Sequence, residues 1–205
     1  DQVQTTQQAM TVMNHTGGPP QNVVIADTKG HVGWTYMGRF PNRVGFDGLA
    51  SRSWVKNRLG WQGYIAPEAL PRLVDPPEGF IVTANNRTLG KGYPYAIGHN
   101  WGLGYRAFRI AELLRGQQRL TEQDLLAVQL DTRSGVLDFY QHLALAELQN
   151  TKDKDPLLKE VKQALQSWDG HMNTRSTGAA LLGEFRSQLA EQVFAKVVAT
   201  CRVLD

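Results

Sequence analysis

GFIVTANNR, residues 79–87, joins a β-prone apolar run to two consecutive asparagines and an arginine. Ile81, Val82 and Thr83 are β-branched, stiff at χ1 and suited to an extended backbone. Gly79 and the Asn85–Asn86 pair punctuate its two ends. The stretch predicts a strand over residues 79–84 that delivers the doublet at its end. An asparagine there has a plain structural use, because it tolerates a left-handed backbone and closes strand ends. It has a chemical use as well. An amide N–H held on a rigid element is a donor at a fixed position, suited to a point where negative charge develops on a carbonyl oxygen.

Upstream, NVVIADTKGHVGWTYMG (residues 22–38) predicts a β-hairpin. Val23, Val24 and Ile25 form one arm, and Val32, Trp34 and Tyr36 alternate along the other. Asp27-Thr28-Lys29-Gly30 supplies the turn, with Gly30 free to take positive φ. Between hairpin and doublet, residues 39–79 read as a long irregular region rich in Gly, Pro and Trp. Downstream, residues 88–104 hold five glycines and predict a loop shaped by packing.

Beyond it the chain changes character. Most of the 20 glycines and all prolines but Pro156 lie before residue 104. Residues 105–115 place Ala107, Ile110, Leu113 and Leu114 at helical spacing. Thr121 and Asp124 resemble a capping box that opens a further helix through Leu125 and Leu126. Asp155-Pro156 is an N-cap and first-turn pair for a helix ending at Trp168, with Gly170 as terminator. A last helix covers residues 176–203. The expected fold class is α+β, with a strand-and-loop region over 1–104 and a mainly helical region over 105–205.

Composition excludes several classes. With 205 residues, 41% hydrophobic and 20% charged, the chain is globular rather than disordered. A net charge of +3 with dispersed basic residues leaves no nucleic-acid footprint. No apolar run reaches the roughly 18 residues of a membrane span, and residues 1–10 lack the basic and apolar regions of a signal peptide. The lone Cys201 has no internal disulfide partner and reads as a packed or edge residue of an apolar helix. His15, His31, His99, His142 and His171 show no metal-ligand spacing, and no GxSxG elbow, P-loop or carboxylate pair is present. The remaining candidate is Arg106. It follows WGLGY and lies three residues from Arg109, so the two project near one another. Such arginines are ordinarily solvated, but Arg106 is placed to enter a crowded site.

Seven pieces resemble, in family order, the penicillin acylases, members of the N-terminal nucleophile hydrolases. They are NVVIADTKGHVGW (22–34), GRFPNR (38–43), WQGYI (61–65), DPPEGFIVTANNR (75–87), WGLGYRAFRIAELL (101–114), LTEQDLLAVQLDTRS (120–134) and SWDGHM (167–172). The resemblance implies a segment of the family's αββα fold and an amide hydrolase acting on an N-acyl compound. In that chemistry a Ser, Cys or Thr exposed by self-cleavage attacks the carbonyl, with its own α-amino group as base. The oxyanion is held by a backbone N–H and an Asn side chain, which by alignment is Asn85; the supporting arginine is Arg106.

The chain begins with Asp1, which is no family nucleophile, so the nucleophile is expected outside this chain and the segment alone is expected to be inactive. The remaining parts of the acylase heterodimer are the implied partners, and the periplasm or exterior the implied location. Calcium occurs in the family, but Tyr93-Pro94-Tyr95-Ala96 stands where the loop would carry a carboxylate, so neither metal nor other cofactor is expected. Trp34, Trp61 and Trp101 are either core aromatics or the lining of an acyl pocket. A rival reading is a non-catalytic scaffold or small-molecule binding module of the same fold.

Overall fold

The computed structural model describes residues 3–53, 60–117, 119–152 and 154–204. Asp1 and residues 54–59 of the Gly/Pro/Trp-rich region lie outside them. The chain forms two compact units, Asp1–Gln118 and Arg119–Asp205.

The first unit is built on the expected hairpin. Strand β1 (Gln21–Ala26) pairs antiparallel with β2 (Val32–Met37), from Gln21↔Met37 to Ala26↔Val32. The turn closes as its chemistry requires: the Gly30 N–H donates to the Asp27 carbonyl at 3.2 Å, and Gly30 takes a φ of 87°. On its other edge β2 carries β5 (Arg72–Val74), giving the order β1-β2-β5. Period-two alternation sends Trp34 and Tyr36 to one face, into a core with Phe40, Ile65 and Leu70. Gly33 and Thr35 take the other face, under helix α1 (Thr6–His15). Gly33 permits the close approach of α1, since a Cβ there would lie 2.6 Å from Thr6 Cγ2.

Two elements depart from the sequence expectations. The irregular region 39–79 contains β3 (Pro41–Val44) paired with β4 (Gly60–Tyr64), a 3-10 turn Pro67–Ala69, and β5. Conversely, residues 79–84 form no strand. A strand needs a hydrogen-bonded neighbour, and residues 79–84 join neither the β1-β2-β5 sheet nor the β3-β4 pair. The segment is instead held by packing of Ile81 against the Trp34–Tyr36 core, with Ala84 buried. Helix α2 (Tyr105–Leu114) belongs to this unit and runs nearly as the spacing predicts.

In the second unit the described elements are helices: α3 (Glu122–Gln129), α4 (Gly135–Asn150), α5 (Pro156–Gln166) and α6 (Thr177–Leu204). The Thr121/Asp124 capping box is fully formed. Asp155 caps α5 by accepting from the Leu157 N–H, with Pro156 in the first turn. This helix stops at Gln166 rather than Trp168. Trp168 turns inward, 7% exposed, and donates its indole N–H to the His171 carbonyl. It joins Leu137, Ala144, Leu165, Ala179 and the fully buried Leu182 in the unit's core. Cys201 is exposed on α6. No helix among the described residues is long and apolar enough to cross a membrane.

Candidate active site

The two asparagines of the doublet are used differently. Asn86 spends its amide locally, its Oδ1 accepting from the Ala84 N–H at 2.9 Å and its Nδ2 donating to the Arg87 carbonyl at 3.3 Å. Asn85 adopts a left-handed backbone with φ of 62°, a conformation asparagine accepts more readily than other side-chain-bearing residues. The structural use read from the sequence, a left-handed backbone, is therefore made at Asn85.

Helix α2 brings Arg106 back to this turn across 21 positions of sequence. Its Nη2 donates to the Ala84 carbonyl at 3.0 Å and to Asn85 Oδ1 at 2.8 Å. Guanidinium has donors only, so the atom facing it must be the amide oxygen. This fixes the amide orientation and turns Asn85 Nδ2 away from the arginine. Among the described residues Nδ2 meets no hydrogen-bond partner. The two sequence-selected residues thus form one hydrogen-bonded unit. Arg109, three residues further along the same helix, reaches Glu112 at 3.5 Å.

Gly102, absent from the sequence candidates, completes the arrangement. Its N–H donates to the Asn85 carbonyl at 2.7 Å, and residues 86 and 102 form an isolated parallel bridge. Nothing in WGLG signals that contact, because the intervening loop has no periodicity from which to place it. Both Asn85 and Arg106 are exposed.

The tryptophans divide. Trp34 is a core residue, 5% exposed and edge-on to Tyr36. It also borders a cleft of about 440 Å³ lined by Phe80, Ile81, Leu89, Tyr93 and Asn86. Trp101 packs against the same core, while Trp61 is 54% exposed on β4. Among the described residues no group of three or more His, Cys, Asp or Glu side chains is arranged to hold a metal ion.

The penicillin amidase family model matches residues 1–203. The chain belongs to the penicillin amidase family. Within it, the chain is 31% identical over 208 residues to an acyl-homoserine lactone acylase of Pseudomonas aeruginosa, covering 93% of this chain and 24% of the relative. It is 33% identical over 175 residues to the penicillin acylase 2 proenzyme of Pseudomonas sp. strain SE83, covering 85% and 22%. This penicillin amidase segment therefore spans about a quarter of the length of the curated relatives it matches. The thermostable penicillin G acylase of Alcaligenes faecalis aligns with a TM-score of 0.54 at 18% identity, over 75% of this chain and 28% of that structure. The mixed α/β architecture resembles a segment of that penicillin G acylase, consistent with part of the expected αββα fold.

Proposed function

We propose that this chain supplies the oxyanion-stabilising half of an acylase site, which hydrolyses the amide of an N-acyl small molecule through a nucleophile outside the chain. One observation carries the reading. Arg106 holds Asn85 Oδ1 at 2.8 Å and so presents Nδ2 as an oriented donor. A tetrahedral oxyanion gains a hydrogen bond from such a donor that the planar carbonyl does not make as well, and no reorganisation is needed at the moment of reaction. Arg106 adds a positive charge behind the amide and polarises its N–H.

Oxyanion donors act most strongly where water is excluded, yet Asn85 is exposed here. Cover for the site therefore comes from the remaining parts of an acylase heterodimer, which also bring the nucleophile. The names of the relatives support the substrate class: an acyl-homoserine lactone acylase and two penicillin acylases all cleave N-acyl compounds by name. The family resemblance carries the periplasmic or secreted location.

The test is Asn85→Ala in the complete enzyme, assayed with a chromogenic N-acyl anilide. Loss of one oxyanion donor costs about 3 kcal/mol, so turnover should fall roughly a hundredfold or more. A rate near wild type would refute the assignment. The purified 205-residue chain should show no turnover at all.

A further inference from the structure

The geometry points to Gly102 as a positioning residue for the oxyanion donor, an inference that rests on the role proposed for Asn85. Gly102 touches Asn85 twice over. Its N–H holds the Asn85 carbonyl at 2.7 Å. A Cβ built on it would lie 3.2 Å from both Asn85 Cβ and the Asn85 carbonyl oxygen. That is tighter than ordinary van der Waals contact, so any side chain at 102 moves Asn85 by a few tenths of an ångström.

The requirement is for space, not backbone freedom. Gly102 does not belong to the left-handed glycines of the chain, so alanine there meets no conformational penalty of its own. Gly92, in the same loop, also lies outside the left-handed set, and a Cβ added to it would have nothing within 4 Å. The two glycines therefore differ in their neighbour alone.

The position of Gly102 is in turn anchored in the core. Trp101 packs against the Trp34–Tyr36–Phe40 cluster and donates its indole N–H to the Gly98 carbonyl at 3.2 Å. A continuous line of contacts runs from that cluster through Trp101 and Gly102 to the backbone of Asn85. Arg106 fixes the amide at the far end. Asn85 is thus held at both ends, its carbonyl by Gly102 and its side-chain oxygen by Arg106.

The experiment compares Gly102→Ala, Gly92→Ala and Asn85→Ala in the complete enzyme on one chromogenic N-acyl anilide. Rates are normalised to active sites titrated with an acylating inhibitor, so unfolded protein drops out. Because sub-ångström misplacement of a catalytic group costs part of the hundredfold that a full ångström does, Gly102→Ala should lower kcat about three- to tenfold with KM within about twofold. Gly92→Ala should match wild type. Equal kcat for Gly102→Ala and Gly92→Ala, with Asn85→Ala crippled, overturns the positioning role but not the oxyanion reading. A near-normal Asn85→Ala overturns both. Should Gly102→Ala fail to fold, Trp101→Phe loosens the same anchor without adding volume. A severalfold loss of kcat there supports the role, and a wild-type kcat overturns it.

Discussion

Residues 79–106 and the helical unit of residues 119–205 hold their shape by different means. The first is irregular chain that leans on the hairpin core through Ile81, Leu89 and Trp101, while its asparagine turn is set by a few specific polar contacts: Asn86 to Ala84, Gly102 to Asn85, and Arg106 to both Ala84 and Asn85. The second is capped helices around an apolar core in which many contacts share the work. Where shape rests on a handful of bonds, removing one changes the chemistry. Where it rests on distributed burial, removing one changes stability and leaves chemistry alone.

The largest expected effect that would sharpen this contrast is thermodynamic. Leu182 is fully buried in the helical core, and Leu182→Ala should cost about 2–5 kcal/mol in urea unfolding. Its kcat per titrated active site should remain that of wild type; a collapse of kcat in the folded fraction would break the distinction. Next comes Arg106→Ala, which frees the Asn85 amide to rotate. Turnover should fall about tenfold or more, and the double variant with Asn85→Ala should be no slower than Asn85→Ala alone, because the two residues act as one unit. Additive losses would show that Arg106 works independently of the amide.

The smallest effect concerns Asp27 in the hairpin turn. Burial pushes its carboxyl up, but backbone N–H groups of Thr6, His31 and Lys29 and the Thr6 hydroxyl outweigh that and hold it at about 2, against an ordinary 3.8. A depressed carboxylate contributes stability that is complete above the ordinary value and vanishes as pH falls through the depressed one. Thermal midpoints of wild type and Asp27→Asn should therefore differ above about pH 4 and converge towards about pH 2. A gap that persists unchanged to pH 2 would show that the carboxylate's charge is not what matters.

Legibility in the sequence follows the same divide. The caps at Thr121 and Asp155 and the Asp27–Gly30 turn are local signals, readable from residues within four positions of each other. Helix α1 escapes a sequence reading because the face it buries is Thr6, Met10 and Asn14: the spacing is helical, but two of the three residues are polar. The apolar run at 79–84 shows β preference without showing that no neighbouring strand will pair with it. Asn85 and Arg106 are each visible, but their bond crosses a glycine-rich loop that no periodicity spans. Gly102 is invisible, because a glycine's use of space is written only in what surrounds it.

Asn14 carries one more consequence. Its buried amide donates to Thr35 Oγ1 at 2.9 Å and to the Tyr36 carbonyl at 2.7 Å, while its oxygen accepts from the Arg72 guanidinium. Thr35 donates its own hydroxyl to the Pro71 carbonyl at 2.8 Å. One side chain on α1 thus touches β2 and β5 at once. Were β2 to slip by a single residue, Thr35 would exchange faces with Trp34, and were β5 to slip, Arg72 would exchange faces with Leu73; either way the amide would lose partners, at about 1–3 kcal/mol for each unsatisfied group. The amide acts as a proofreader of strand alignment, accepting one register of the sheet and penalising its neighbours.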